Sequence, residues 1–131
     1  MDPNVLVATL LSPDGTPARI YLAFLGGSFE LIVSPQLISE LDRVLAYPKL
    51  RQRVSKLEAE EFVEVLARLA FEAEDPTAPP SVTSSDPGDD YLLGLAEAES
   101  AVLVSGDSHI LRLKADLPIY SPSEFLELIA E

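Results

Sequence analysis

The sequence predicts an α/β fold in which helices cover both faces of a parallel sheet. Three observations carry this. The strand-like runs, such as "FELIVS" (29–34) and "AVLVS" (101–105), are short and largely apolar rather than alternating, the pattern of strands buried on both faces. Helical patterns separate the runs, and no two runs are joined by a tight hairpin turn signal, so the strands are expected to run parallel through helical crossovers. A chain of 131 residues is one domain of ordinary size, able to bury a core without disulfides.

The elements follow in order. Asp2 ahead of Pro3 is a helix N-cap with proline at the first helical position, leading the apolar run from Asn4 to Leu11. "SPDGTPA" is a turn, Ala18 to Leu25 reads as a short helix, and Gly26 and Gly27 stop it. After the strand Phe29 to Ser34, Ser34 and Pro35 open a helix that ends before Pro48. A basic loop precedes a helix from about Ser55 to Ala73, whose early acids Glu58, Glu60, Glu61 and Glu64 suit the positive end of the helix dipole. The proline-rich "EDPTAPPSVTSSDPG" is a long connection. A helix from about Pro87 to Glu99, the strand "AVLVS", a short helix from Ser108 to Leu113, the strand "PIYS" and the helix "SPSEFLELIAE" complete the chain.

Composition narrows the function classes. The absence of cysteine excludes disulfides, thiolate zinc sites and cysteine nucleophiles. With 22 acidic against 9 basic residues the net charge is −13, which argues against general attraction to nucleic acid phosphates. Five of the nine bases, Arg43, Lys49, Arg51, Arg53 and Lys56, nevertheless fall between positions 43 and 56 and could form a local patch or merely a solvated helix end. Apolar stretches fall short of the roughly 20 residues of a membrane span and no signal peptide is evident, so a cytoplasmic, soluble protein is expected, with no membrane partner.

Four acidic positions carry the candidate chemistry. In "SSDPGDDYLLGLA", Asp86 with Pro87 is explained by capping, whereas Asp89 shares a helix face with Leu92, Leu93 and Ala96 and so lies at the edge of the buried surface. Asp90 turns toward a solvated flank. Asp107 follows an apolar strand and a glycine, at the carboxyl end of a strand, where α/β sheets bind ligands. It is also a plausible cap for the next helix, and His109 reads as solvated. On the helix after Ser34, Glu40 and Asp42 sit on opposite edges of the apolar stripe, and spacing does not choose between them. Asp2 by itself is a cap. Carboxylates without histidine or cysteine suit hard cations, Mg2+ or Mn2+, better than zinc.

Taken in order, "DPNVLVATLLSPDGTPA", "FELIVSPQLISELDRVLAYPKL", "DPGDDYLLGLAEAESAVLVSGDSHILRL" and "IYSPSEFLELI" resemble the PIN domain family, in particular toxin components of prokaryotic toxin-antitoxin systems. The resemblance implies a three-layer α/β/α fold around a central parallel sheet and an RNA-hydrolysing site of converging acids holding Mg2+ or Mn2+. By the same resemblance, Asp2, Glu40, Asp89 and Asp107 are the catalytic and metal-ligating residues. Asn4 and Ser105 support them, and Arg43, Lys49, Arg51, Arg53 and Lys56 contact RNA. Pro3 stands where the family's motif has threonine. Only Met1 precedes Asp2, so the first strand is expected to be truncated, leaving Asp2 at a fraying terminus. An RNA substrate, a small antitoxin protein and a homodimer are the implied partners. The alternative function is a catalytically inactive PIN-like binding or scaffold protein. A phosphoacceptor domain is disfavoured because "FELIVSPQ" offers no acid after its strand.

Overall fold

The first helix forms where the cap signal lies. In the computed structural model, which describes residues 1–130, Asp2 accepts the Asn4 N–H at 2.9 Å and caps α1, Pro3–Leu11. Two helices follow the turn and the first strand: α2, Thr16–Leu25, and α3, Pro35–Leu45, the latter capped by the Ser34 hydroxyl. Leu37, Leu41 and Leu45, spaced four apart on α3, bury one stripe against the core, each contributing about 2 kcal/mol of hydrophobic stabilisation. The basic segment expected as a loop contains one helical turn, α4, Pro48–Arg51, opened by Pro48 at its first position. Helix α5, Lys56–Leu69, begins with a capping box between Ser55 and Glu58.

Strands and helices are shorter than the sequence implies, β1 covering Ile32–Val33 of the expected 29–34 and β3 Leu103–Val104 of the expected 101–105, and one difference changes the fold. The helix expected to reach Ala73 ends at Leu69, because Ala70 turns extended and frees the next residues to pair. Strand β2, Phe71–Glu72, runs parallel to β1, Ile32–Val33, with the Phe71 and Ala73 amides donating to the Leu31 and Val33 carbonyls at 2.8 Å. A ladder available 40 residues away overrides local helix preference here.

The remaining elements are a 3-10 turn at Pro87–Asp89, α6 at Asp90–Ala98, β3 at Leu103–Val104, α7 at Ser108–Leu111, β4 at Ile119–Tyr120 and α8 at Pro122–Ile129. Strands β3 and β4 pair in parallel, Leu103 with Ile119 and Val104 with Tyr120. The parallel α/β prediction therefore holds, but the sheet consists of two short ladders rather than one continuous array.

Their free edges share one cleft. Backbone alternation turns Ile32 away from β2 and Val104 away from β4, and both residues line an apolar space of about 340 Å³ with Met1, Phe29, Val102 and Phe125. The Asp2 amide donates to the Val104 carbonyl at 2.9 Å, so Met1 and Asp2 lie alongside the free edge of β3. Asp2 is consequently not frayed. It is 4% exposed, tied to β3 by its amide and to α1 by its carboxylate.

The main core gathers Leu6, Leu37, Leu41, Leu66, Leu93 and Ile110 between the helices and the strands. A smaller cluster joins Ile20, Val104 and Phe125, with Phe29 edge-on to Phe125 at 5.0 Å between ring centres. The proline-rich connection is pinned rather than loose. Asp75 accepts the Gln36 N–H at the start of α3 (3.1 Å), Glu97 accepts the Ser81 N–H (2.9 Å), and Asp90 accepts the Ser84 N–H (3.0 Å). Asp90 is therefore a clasp for the connection, not the solvated flank that helix periodicity implies. Gly94 belongs to the same contact, since a Cβ there would lie 3.2 Å from the Pro76 ring. Among the described residues, no helix is long and apolar enough to cross a membrane.

Candidate active site

Three of the four candidate acids sit at the end of an element and the fourth in the middle of a helix. Asp2 precedes α1, Glu40 lies in mid-α3, Asp89 ends the 3-10 turn before α6, and Asp107 caps α7 just past β3. Asp2, Asn4, Glu40 and Asp89 line one pocket of about 350 Å³ with Arg43, Tyr47, Asp86 and Tyr91. Asp107 faces a neighbouring pocket that also exposes Asp2 and Asn4, so Asp2 stands between the two.

Ser105 joins them. Its hydroxyl, wholly buried at the end of β3, donates to Asp2 Oδ2 at 2.7 Å and accepts the Asp107 amide at 3.0 Å. Ser105 thereby sets the Asp2 carboxylate relative to the backbone of Asp107. Asn4 differs, since it reaches Asp2 through its backbone N–H.

Capping separates the three clustered aspartates. Asp86 accepts the Gly88 N–H at 3.0 Å and is an ordinary cap. Asp89 occupies the cap position of α6 but makes no side-chain cap bond, and its Oδ2 is buried without a hydrogen-bond partner among the described residues. Burial is the first cause that raises its carboxyl to about 6, followed by repulsion from Asp86, Asp107 and Asp2, with His109 opposing. A desolvated, unpartnered carboxylate oxygen surrounded by other carboxylates is an environment that lacks positive charge.

Three further features were not legible in the sequence. The Tyr91 hydroxyl is pushed upward by burial and by the field of Glu40, Asp2, Asp89 and Asp75, so it remains a neutral hydrogen-bond donor at the pocket wall. Arg43 reaches back along α3 to hold Glu40, with Nη2 to Oε2 at 2.7 Å and Nε to Oε1 at 3.3 Å. Tyr47 takes the other side of the same guanidinium, which also lies 5.4 Å from its ring centre. His109 is exposed as expected, but its Nδ1 sits 3.1 Å from Asp107 Oδ1.

The basic residues have different surroundings. Arg43 lines the acidic pocket, Arg53 donates to the Leu11 carbonyl at the end of α1 (3.1 Å), and Lys56 pairs loosely with Glu60 at 4.0 Å. Lys49 is exposed, whereas Arg51 is half-buried with one guanidinium nitrogen unpartnered among the described residues. Asp42, left open by spacing alone, is exposed and does not line the pocket that Glu40 lines.

The donor set of carboxylates fits a hard divalent cation, and the orphaned Asp89 oxygen fits a missing positive partner. As the side chains stand, no three of these acids among the described residues are arranged to hold an ion. Glu40 is instead held by Arg43 through both of its oxygens.

Residues 1–109 match the PIN domain family. The chain is also similar to the uncharacterized protein MJ1680 of Methanocaldococcus jannaschii, with 22% identity over 140 residues, covering 97% of this chain and 88% of that protein.

Proposed function

The chain belongs to the PIN domain family, whose members are generally nucleases, and from that premise we propose that it is a metal-dependent endoribonuclease acting as the toxin of a toxin-antitoxin pair. Asp2, Glu40, Asp89 and Asp107 hold Mg2+ or Mn2+ in this reading, within the three-layer arrangement typical of the family. The bound cation supplies Lewis-acid stabilisation of the phosphodiester and a more acidic water. The chain's residues do the rest. Ser105 fixes the orientation of Asp2, Tyr91 offers a neutral hydroxyl to an oxygen in the pocket, and the carboxylates orient a water for in-line attack. One P–O bond forms to the water oxygen and one breaks to the leaving sugar oxygen, which takes up a proton.

The observation that carries the reading is the buried, unpartnered Oδ2 of Asp89 facing other acids. Capping does not require it and core packing opposes it. The test is cleavage of an RNA oligonucleotide with Mn2+, with chelator, and with Asp89→Asn. Cleavage that requires the cation and is lost in the variant is expected. Cleavage surviving both treatments overturns the mechanism.

The scaffold reading is favoured by one observation, that among the described residues no three acids stand ready to hold an ion. It predicts no Mn2+-dependent rise in melting temperature, whereas the nuclease reading predicts one. Partners in the toxin reading are RNA, a small antitoxin protein and a second copy of the chain. Exposed Leu22, Leu57 and Leu69 offer apolar surface for either protein contact.

A further inference from the structure

We propose that Arg43 is a positioning residue that competes with the divalent cation for Glu40 and, once displaced, receives a substrate phosphate at the pocket mouth. This rests on the nuclease reading above.

Glu40, Arg43 and Tyr47 are spaced three and four apart on one face spanning α3 and its end, and all three line the acidic pocket. The guanidinium engages both oxygens of Glu40 in a fork-to-fork contact, so a cation binding Glu40 must share or displace that contact. Asp89 differs: one of its oxygens has no hydrogen-bond partner among the described residues. A positive charge already inside the chain thus stands on one of the four acids, at the place where a cation is needed.

The contact is weakly held. Arg43 and Glu40 side chains are 56% and 37% exposed, and exposed ion pairs of this kind contribute little to stability. A hard divalent ion prefers carboxylate oxygen and can outcompete such a pair. Tyr47 keeps hold of the guanidinium through its hydroxyl and ring, so Arg43 released from Glu40 stays at the pocket mouth. Its planar fork matches a phosphodiester, and in a chain of net charge −13 this is a local positive group beside the acids.

An ordinary surface ion pair makes a different prediction, and Glu64 with Arg68 on α5 provides the comparison. It is equally short at 2.7 Å, more exposed, and lies on residues that do not line the pocket. Isothermal titration of the whole chain with Mn2+, together with kcat and KM on an RNA oligonucleotide, is applied to Arg43→Gln, Arg43→Lys and Arg68→Gln. The expected result is that Arg43→Gln binds Mn2+ about 3- to 10-fold more tightly while its KM for RNA rises at least 5-fold. Arg43→Lys falls between, and Arg68→Gln, which removes the same charge elsewhere, stays within 2-fold of the parent in both. Equal Mn2+ affinity and equal KM in parent and Arg43→Gln overturn the competition while leaving the metal site standing. A parent chain that binds no Mn2+ overturns the nuclease reading and this proposal together.

Discussion

Replacing Asp89 with asparagine removes a charge that the fold penalises, so Asp89→Asn is expected to stabilise the protein while abolishing its chemistry. The carboxyl is raised from 3.8 to about 6, chiefly by burial and then by Asp86, Asp107 and Asp2. A shift of about 2 units corresponds to about 3 kcal/mol. Partial solvent exposure of the side chain screens this to roughly 1–2 kcal/mol. The sign follows from the direction. A raised carboxyl binds its proton more tightly in the folded state, so its contribution is full below about pH 4 and is lost as pH rises through about 6. Asparagine mimics the neutral form at every pH. The variant's advantage should therefore be near zero below pH 4, about half-developed at pH 5 and complete above pH 7, where it amounts to roughly 3–8 °C in melting temperature. Thermal melts of both proteins in chelator at pH 5 and pH 7.5 measure it. A variant that melts below the parent at pH 7.5, or whose advantage is the same at both pH values, refutes the account of Asp89 as an uncompensated buried carboxylate.

Other outcomes test the surroundings of the site. Ser105→Ala leaves the buried Asp2 carboxylate without its 2.7 Å donor and frees the Asp107 amide, so urea unfolding should show a loss of about 1–3 kcal/mol. Saturating Mn2+ at a hundred times its Kd should stabilise the parent by about 2.7 kcal/mol, and Asp107→Asn should reduce that gain. Asp90→Ala removes the acceptor for the buried Ser84 amide, costing about 1 kcal/mol, and limited proteolysis should then cut faster between Pro76 and Ser85.

Local chemistry explains what was legible in advance. Asp2 with Pro3, Ser34 with Pro35 and Ser121 with Pro122 are caps formed by residues three or fewer positions apart, and each opens a helix as its sequence implies. The apolar runs at Ile32–Val33 and Leu103–Val104 are strands because residues that are buried on both faces need no partner to reveal their pattern. Asp89 stood out for a similar reason: its place on the helix stripe identifies a charge at the core's edge.

Contacts distant along the chain were decided only by the tertiary structure. Nothing near Phe71 marks it as a strand, since its pairing depends on Leu31 and Val33 about 40 residues earlier. Asp90 and Glu97 look like solvated helix acids until the proline-rich connection folds back and donates Ser84 and Ser81 to them. The choice between Glu40 and Asp42 rests on which side of α3 meets the pocket, a matter of helix rotation against strands that periodicity leaves symmetric. Ser105 and Asp2 are 103 positions apart, and only the placement of Asp2 beside the edge of β3 brings hydroxyl to carboxylate. Sequence alone therefore determined most of the elements, though not β2 or α4, and the supply of acids, because capping and burial act over one or two turns. The fold determined which acids meet, because a site is a set of long-range distances and these exist only once the strands are in register.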